Sequence, residues 1–505
     1  MRLPFPERIP LFYVFVFAAL LCTAQLLEGT PALFSLFSFL FIFISAITFN
    51  LAGGVTRLSG SYVLAFSLLG VIIGLTWKAI LGEPADSHLD VPILTMGIYV
   101  GSICAMLAAV YISRKLTTKR ALLGTLLKPA NEQNATMGCI ITGIAIIALD
   151  TAIPHSPGSF LSGLHQVDHF LPIAIILGVK HRIKKSGGTQ SIDVPILLAI
   201  TILFIIGVNG FTKEGMLEPL LCWLVAASSM RYRVSGFQIL FGGLVVLLFF
   251  YYLVPYSQYG RIFASESSPD NLATSVSLLS NPENTRSQYL QSSEEQAAEG
   301  IAEYFDKPQG FFDRLQMISI DDRLNNLTNN GHVFGLYPVW ADFENTVPHF
   351  IWKSKPRIWW QTMFAQEIGG LLPVEDTTTG ISFTPAAVGF HLAGWTGVLI
   401  VAPILWIMLF TMFDSLCGDV RKVPWGLLMI PIFAHQAPEA GFDGIIYLLG
   451  FGSFGIIVVA FAAAYLMPIV GTFALGPEST LLDRASSVRS IPRRLPTAGP
   501  RENSI

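Results

Sequence analysis

Charged side chains are scarce in this chain. Asp, Glu, Lys and Arg make up 13% of its 505 residues, about half the share found in soluble domains, which excludes an ordinary water-soluble fold. Cysteine is scarcer still. Cys22, Cys104, Cys139, Cys222 and Cys417 lie in apolar segments or a short connection, and none falls between Tyr256 and Thr384. No disulfide is expected in that stretch, and no CxxC pair exists to hold a metal or support thiol redox chemistry. Long hydrophilic segments are equally rare, because residues 256–384 form the one long stretch too polar for a bilayer. No period marks a repeat solenoid, no nucleic-acid partner is expected, and the net charge of -3 says little because its distribution matters more than its sum.

Hydrophobic residues fill the rest, at 52% of the chain, in runs long enough to cross a hydrocarbon core of about 30 Å. Twelve segments read as spans: 11–27, 32–52, 61–80, 91–112, 136–153, 160–179, 193–210, 216–230, 237–255, 386–412, 425–442 and 444–468. Asp150, His165, Asp168 and His169 interrupt the fifth and sixth, and ionisable groups at that depth usually line a cavity or pair with one another. The expected class is all-α, a polytopic helical membrane protein of about 12 transmembrane helices with one large extracytoplasmic loop. Four regions follow: an N-terminal bundle of nine spans (1–255), the loop (256–385), three C-terminal spans (386–468) and a basic tail (469–505) expected to be disordered. Arg2 and Arg8 before the first apolar run suit an uncleaved signal anchor.

Charge sets the orientation. With the N-terminus inside, 21 of the 31 Lys and Arg residues become cytoplasmic, 8 lie in the long loop, and Lys78 and Lys213 alone occupy short outer connections. Positive charge accumulates on the cytoplasmic side of membrane proteins, so both termini are expected in the cytoplasm and the loop outside.

Within the loop, residues 281–296 are polar and expected to be flexible. Phe311, Leu315 and Ile318 recur at helical spacing beside Arg314 and Asp321, which predicts an amphipathic helix resting on the membrane face. That helix is expected to bring Arg314 toward Lys355 and Arg357. Next come Asp322-Arg323, the run Gly335-Leu336-Tyr337-Pro338-Val339-Trp340, and Val347-Pro348-His349-Phe350-Ile351-Trp352-Lys353-Ser354-Lys355-Pro356-Arg357, a basic and aromatic strip. Pro348 and Pro356 disfavour helix between them. Thr379 to Pro385 then leads through Gly394 and Gly397 into the next span.

The order of Phe312-Asp313-Arg314-Leu315, Gly335-Leu336-Tyr337, the strip from Asn345 to Pro356 and the Thr379–Pro385 stretch resembles the membrane-embedded oligosaccharide repeat-unit polymerases of the O-antigen and exopolysaccharide type. The resemblance covers about 100 residues strongly and the rest by hydropathy alone. Two positions depart from the family pattern: Pro348-His349 stands where Pro-Arg is frequent, and Val388 lies near where an acidic residue is frequent. The resemblance implies a GT-C-like glycosyltransferase in the bacterial inner membrane, without a cofactor, and since the loop holds no acidic or His/Asp cluster with ligand spacing except the adjacent Asp321-Asp322, a metal-independent site is expected. Its donor would be an undecaprenyl-diphosphate-linked oligosaccharide, and its surroundings membrane lipids, a chain-length regulator and a lipid-linked sugar flippase. A glycan ligase or a transporter of lipid-linked sugars are the alternative functions.

On that reading, Arg314, Arg323 and Arg357 are candidates to hold the leaving diphosphate, because a guanidinium meets phosphate oxygens in a planar fork. Trp352 and Lys355 would contact substrate, while Lys353 reads mainly as a headgroup anchor. His349 and His391 are candidate general bases, since imidazole titrates near neutrality. Lys213, at an outer turn where the charge rule disfavours a cation, is a candidate substrate contact beside Glu214. His435, Gln436, Glu439 and Asp443 crowd the outer end of the eleventh span. They either line a substrate path or form a hydrogen-bonded helix break.

Overall fold

A computed structural model describes residues 1–153, 169–263, 268–298, 304–309, 312–348, 351–352, 354–355, 358–369, 371–372, 374–375 and 380–475, without the side chains of 150–152, 268–269, 292–298 and 314. Among them are helices and turns, two isolated bridges and no β-strand. Seven helices are long and apolar enough to cross a membrane: Ala32–Ala52, Leu58–Leu81, Pro92–Leu116, Pro129–Leu149, Gly236–Phe263, Pro385–Cys417 and Gly441–Leu475. The other segments read as spans are shorter helices, Leu11–Leu27, Phe170–Lys185, Val194–Asn209, Lys213–Ser229 and Pro424–Glu439. His165 and Asp168 lie outside the described residues, as does the tail beyond Leu475.

The elements around the long loop take labels here: α1 (Leu58–Leu81), α2 (Pro92–Leu116), α3 (Lys213–Ser229), α4 (Gly236–Phe263), α5 (Pro282–Ala298), α6 (Ile318–Asn329), α7 (Tyr337–Asn345), α8 (Trp360–Glu367), α9 (Pro385–Cys417), α10 (Pro424–Glu439) and α11 (Gly441–Leu475). At one end of the bundle the basic connections meet. Glu7 faces Arg231 and Arg421, Lys180 donates to the Arg421 carbonyl, and Asp414 accepts from the Leu58 and Ser59 amides. The long loop covers the opposite end.

That loop is fastened to places where the helices break their own ladder. A π-turn at Leu68–Ile72 of α1 displaces the usual i to i−4 pairing, and the Met317 amide donates to its Gly70 carbonyl at 3.0 Å. Beside it Phe312 stacks on Trp77 with centroids 3.6 Å apart. In α9, Ala393 and Gly394 leave helical geometry, with Gly394 at φ +57°, a region glycine enters at low cost. The carbonyls of His391 and Leu392 just before that break accept from the Phe334 and Gly335 amides, each at 3.0 Å. Between α10 and α11 the chain turns at Gly441 (φ +50°), whose amide donates to Phe383 at 3.0 Å. A membrane protein tolerates such breaks only where other protein groups satisfy the freed backbone, and here the loop supplies them.

Two expectations need correction. Residues 282–298 are helical rather than flexible, because Glu, Gln and Ala favour helix and the helix is tied to α4. Tyr252 and Tyr259 donate to Glu283 and Gln288, and Arg286 lies 4.0 Å over the Tyr251 ring. The expected amphipathic helix does not include Leu315. Residues 312–314 form a single 3₁₀ turn, and α6 begins at Ile318. Phe312 and Met317 are held down by α1, which ends the helical register there.

Candidate functional site

Two neighbouring carboxylates secure α6. Asp321 is fully buried and accepts from Tyr99 Oη (2.6 Å), the Thr384 amide (3.0 Å) and Thr384 Oγ1. Asp322 accepts from Thr95 Oγ1 (2.7 Å) and the amides of Asp90 and Val91. These bonds join the loop to the top of α2 and the start of α9. Burial pushes the Asp321 carboxyl up from 3.8 to about 7, against the lowering effect of its donors.

From there α7 and α8 close over the α10–α11 turn. Pro338, Ala341 and Asp342 are the buried residues of α7, spaced so that one helical stripe faces inward. Asp342 is only 7% exposed, and its Oδ1 accepts from Trp360 Nε1 at 2.9 Å. From α8, the Gln361 amide donates to the Glu439 carbonyl (3.3 Å) and approaches Asp443 Oδ2 (3.5 Å). Between them lies a cavity of about 430 Å³, lined by Asp342, Asn345, Trp359, Gln361, Ser382, His435, Gln436, Glu439, Asp443, Tyr447 and others. That size is within the roughly 300–1,000 Å³ of ligand pockets. Burial, then the nearby Asp443 charge, push the Asp342 carboxyl up from 3.8 to about 8, with Trp360 and Asn345 opposing.

The cavity is rich in carboxylates, unlike the cationic site expected around Arg314, Lys355 and Arg357. At its margin, His435 Nε2 lies 3.4 Å from Glu214 of α3, and Nδ1 lies 3.6 Å from Glu439. The donor atoms of these three residues fall within 4.8 Å of one another and would suit a divalent cation. Lys213 precedes Glu214 at the start of α3.

The expected residues are therefore dispersed. His435 and Glu439 line the cavity with Asp443, as a group at a helix break, and Lys213 neighbours that group. His391 lies elsewhere. Its ring is fully buried against Phe334 and Phe364, with Nδ1 2.9 Å from Thr328 Oγ1 and Nε2 3.3 Å from Glu367, which joins α6, α8 and α9. Arg323 pairs with Asp90 at 3.3 Å. Lys355 is 8% exposed and donates to the carbonyls of Asn345 (2.8 Å) and Val347 (2.7 Å), closing the turn after α7. Trp352 donates to Ser354 Oγ at 3.1 Å. His349, Lys353 and Arg357, and the Arg314 side chain, lie outside what the structure describes.

Asp342, Asn345 and Gln361 were missed by the sequence reading. Asp342 left one signal, an acid in register with the apolar face of a short helix. No family model matches the chain, and neither the curated proteins nor the solved structures contain a significant match.

Proposed function

We propose that the protein joins lipid-diphosphate-linked oligosaccharide repeat units into a surface polysaccharide, at the outer face of a bacterial cytoplasmic membrane. The loop faces outward and both termini lie in the cytoplasm. The observation that carries the reading is the composition of the cavity. Aromatic faces of Trp359 and Tyr447 sit among the amides of Asn345, Gln361 and Gln436 and the carboxylates of Asp342, Glu439 and Asp443. Carbohydrates present both flat C–H faces and dense hydroxyl donors, which such a mixed wall matches. The cavity suits the acceptor glycan, because its carboxylates oppose a bound diphosphate. Arg314 and Arg357 then serve the donor, holding the leaving diphosphate as its charge develops.

The test is purified protein in lipid discs, given a lipid-diphosphate-linked repeat unit and scored for products by size. A ladder of growing chains is expected. Replacing Arg357 with Ala should slow ladder growth by about 10²-fold, the usual cost of losing a positioned electrostatic group. Transfer only to a different lipid acceptor would instead make the protein a ligase. Movement of the substrate across the disc with no new bond would make it a transporter.

A further inference from the structure

We propose that Asp342 is the general base that takes the proton from the attacking hydroxyl of the acceptor glycan, with Asp443 as the neighbouring charge that tunes it. The inference rests on the glycosyl-transfer reading above and names the group that reading lacks.

Asp342 combines three properties. It lines the cavity while being 7% exposed, so a hydroxyl bound there can reach it with little competition from bulk water. Its carboxylate accepts from the Trp360 N–H at 2.9 Å and from the Asn345 side chain, which orient it, and two donors leave part of a carboxylate's acceptor capacity for a substrate hydroxyl. Finally, α7 is packed against the first turn of α11, which carries Asp443. Two carboxylates in one enclosed site disfavour double ionisation, and the resulting basicity near the working pH suits proton abstraction.

The step balances. The acceptor oxygen forms its bond to the anomeric carbon as its proton passes to the Asp342 carboxylate. The bond from that carbon to the diphosphate oxygen breaks, and the lipid diphosphate leaves with the electron pair. Asp342 then returns the proton to solvent. The two imidazoles expected for this role differ in placement: His391 is enclosed by Phe334, Phe364, Thr328 and Glu367, and His349 lies outside the described residues.

Other titratable groups face the same space. Asp443 and Tyr447 come from α11, and His435 and Glu439 from α10. Two more charged groups belong to α7 and its following turn but not to that lining: Lys355 donates to the Asn345 and Val347 carbonyls, and Glu344 accepts from Trp340.

The experiment measures ladder growth against pH for wild type, Asp342→Asn, Asp342→Glu and Asp443→Asn. Wild-type turnover should rise with pH and level off above about 8. Asp342→Asn keeps the acceptor for Trp360 but cannot take a proton. It should lose about 10²- to 10⁴-fold in turnover, the range for removing a general base, while still binding the lipid-linked donor. Asp342→Glu should recover part of that loss. Asp443→Asn should stay active with its rising limb moved to lower pH, a shift that a purely structural role would not produce. Full activity of folded Asp342→Asn, or an unmoved limb in Asp443→Asn, would overturn the assignment while leaving the polymerase reading intact. A wild-type protein that forms no glycosidic bond would overturn both.

Discussion

Asp321 and Asp342 lie in the same loop, both are buried, and both carboxyls are pushed far above the ordinary range. Their surroundings differ. Asp321 receives two hydroxyls and an amide from the bundle, so its acceptor capacity is used in joining loop to membrane helices. Asp342 receives the Trp360 indole and the Asn345 side chain, and lines a cavity beside another acid. A raised pKa by itself therefore does not mark chemistry. What separates a clamp from a reactive group is whether acceptor capacity remains available to something that is not the protein.

The largest expected effect separates the two by function. Asp342→Asn should abolish most turnover with little change in folding, whereas Asp321→Asn should leave turnover intact. An amide at 321 can still accept the Thr384 N–H, and the Tyr99 and Thr384 hydroxyls can rotate to receive its NH₂. The next effect is on stability. Asp321→Ala removes the acceptor altogether and should cost about 1–3 kcal/mol for each donor left unsatisfied, read as a lower thermal midpoint in detergent. Equal loss from Asp342→Ala would weaken the contrast.

Stability against pH sharpens the comparison further. Both carboxyls titrate higher in the folded protein than the ordinary 3.8. The folded state therefore binds protons more readily, and stability from these groups is fully present below about pH 4 and is lost as pH rises through about 7 and 8. Between pH 8 and 5 the thermal midpoint should climb, and it should climb less in either Asn variant. The smallest effect is expected at Arg323, whose pairing with Asp90 is over one-third exposed. Arg323→Ala should cost about 0–1 kcal/mol and barely change turnover.

Much of the frame was legible because apolar runs and charge asymmetry are local properties. The helices Leu11–Leu27 and Ala32–Ala52 fall on the ranges read from hydropathy, and the crowding of His435, Glu439 and Asp443 was visible from their spacing. The loop was harder to read. Residues 282–298 look like polar linker until Tyr252 and Tyr259 provide partners from another helix. Asp321-Asp322 appears as one acidic pair in sequence, yet each residue is claimed by a different part of the bundle. Asp342 acquires its setting from Trp360 and from Asp443, some hundred positions away. Lys355 shows the reverse: a cation that reads as a substrate contact is consumed by two carbonyls of its own turn.

The most direct test is ladder growth per folded molecule for Asp342→Asn and Asp321→Asn, measured side by side with wild type on the lipid-diphosphate-linked repeat unit at pH 8. Near-complete loss is expected for the first and near wild-type turnover for the second. Equal turnover in the two variants, whether both active or both inactive, would contradict the assignment of Asp342.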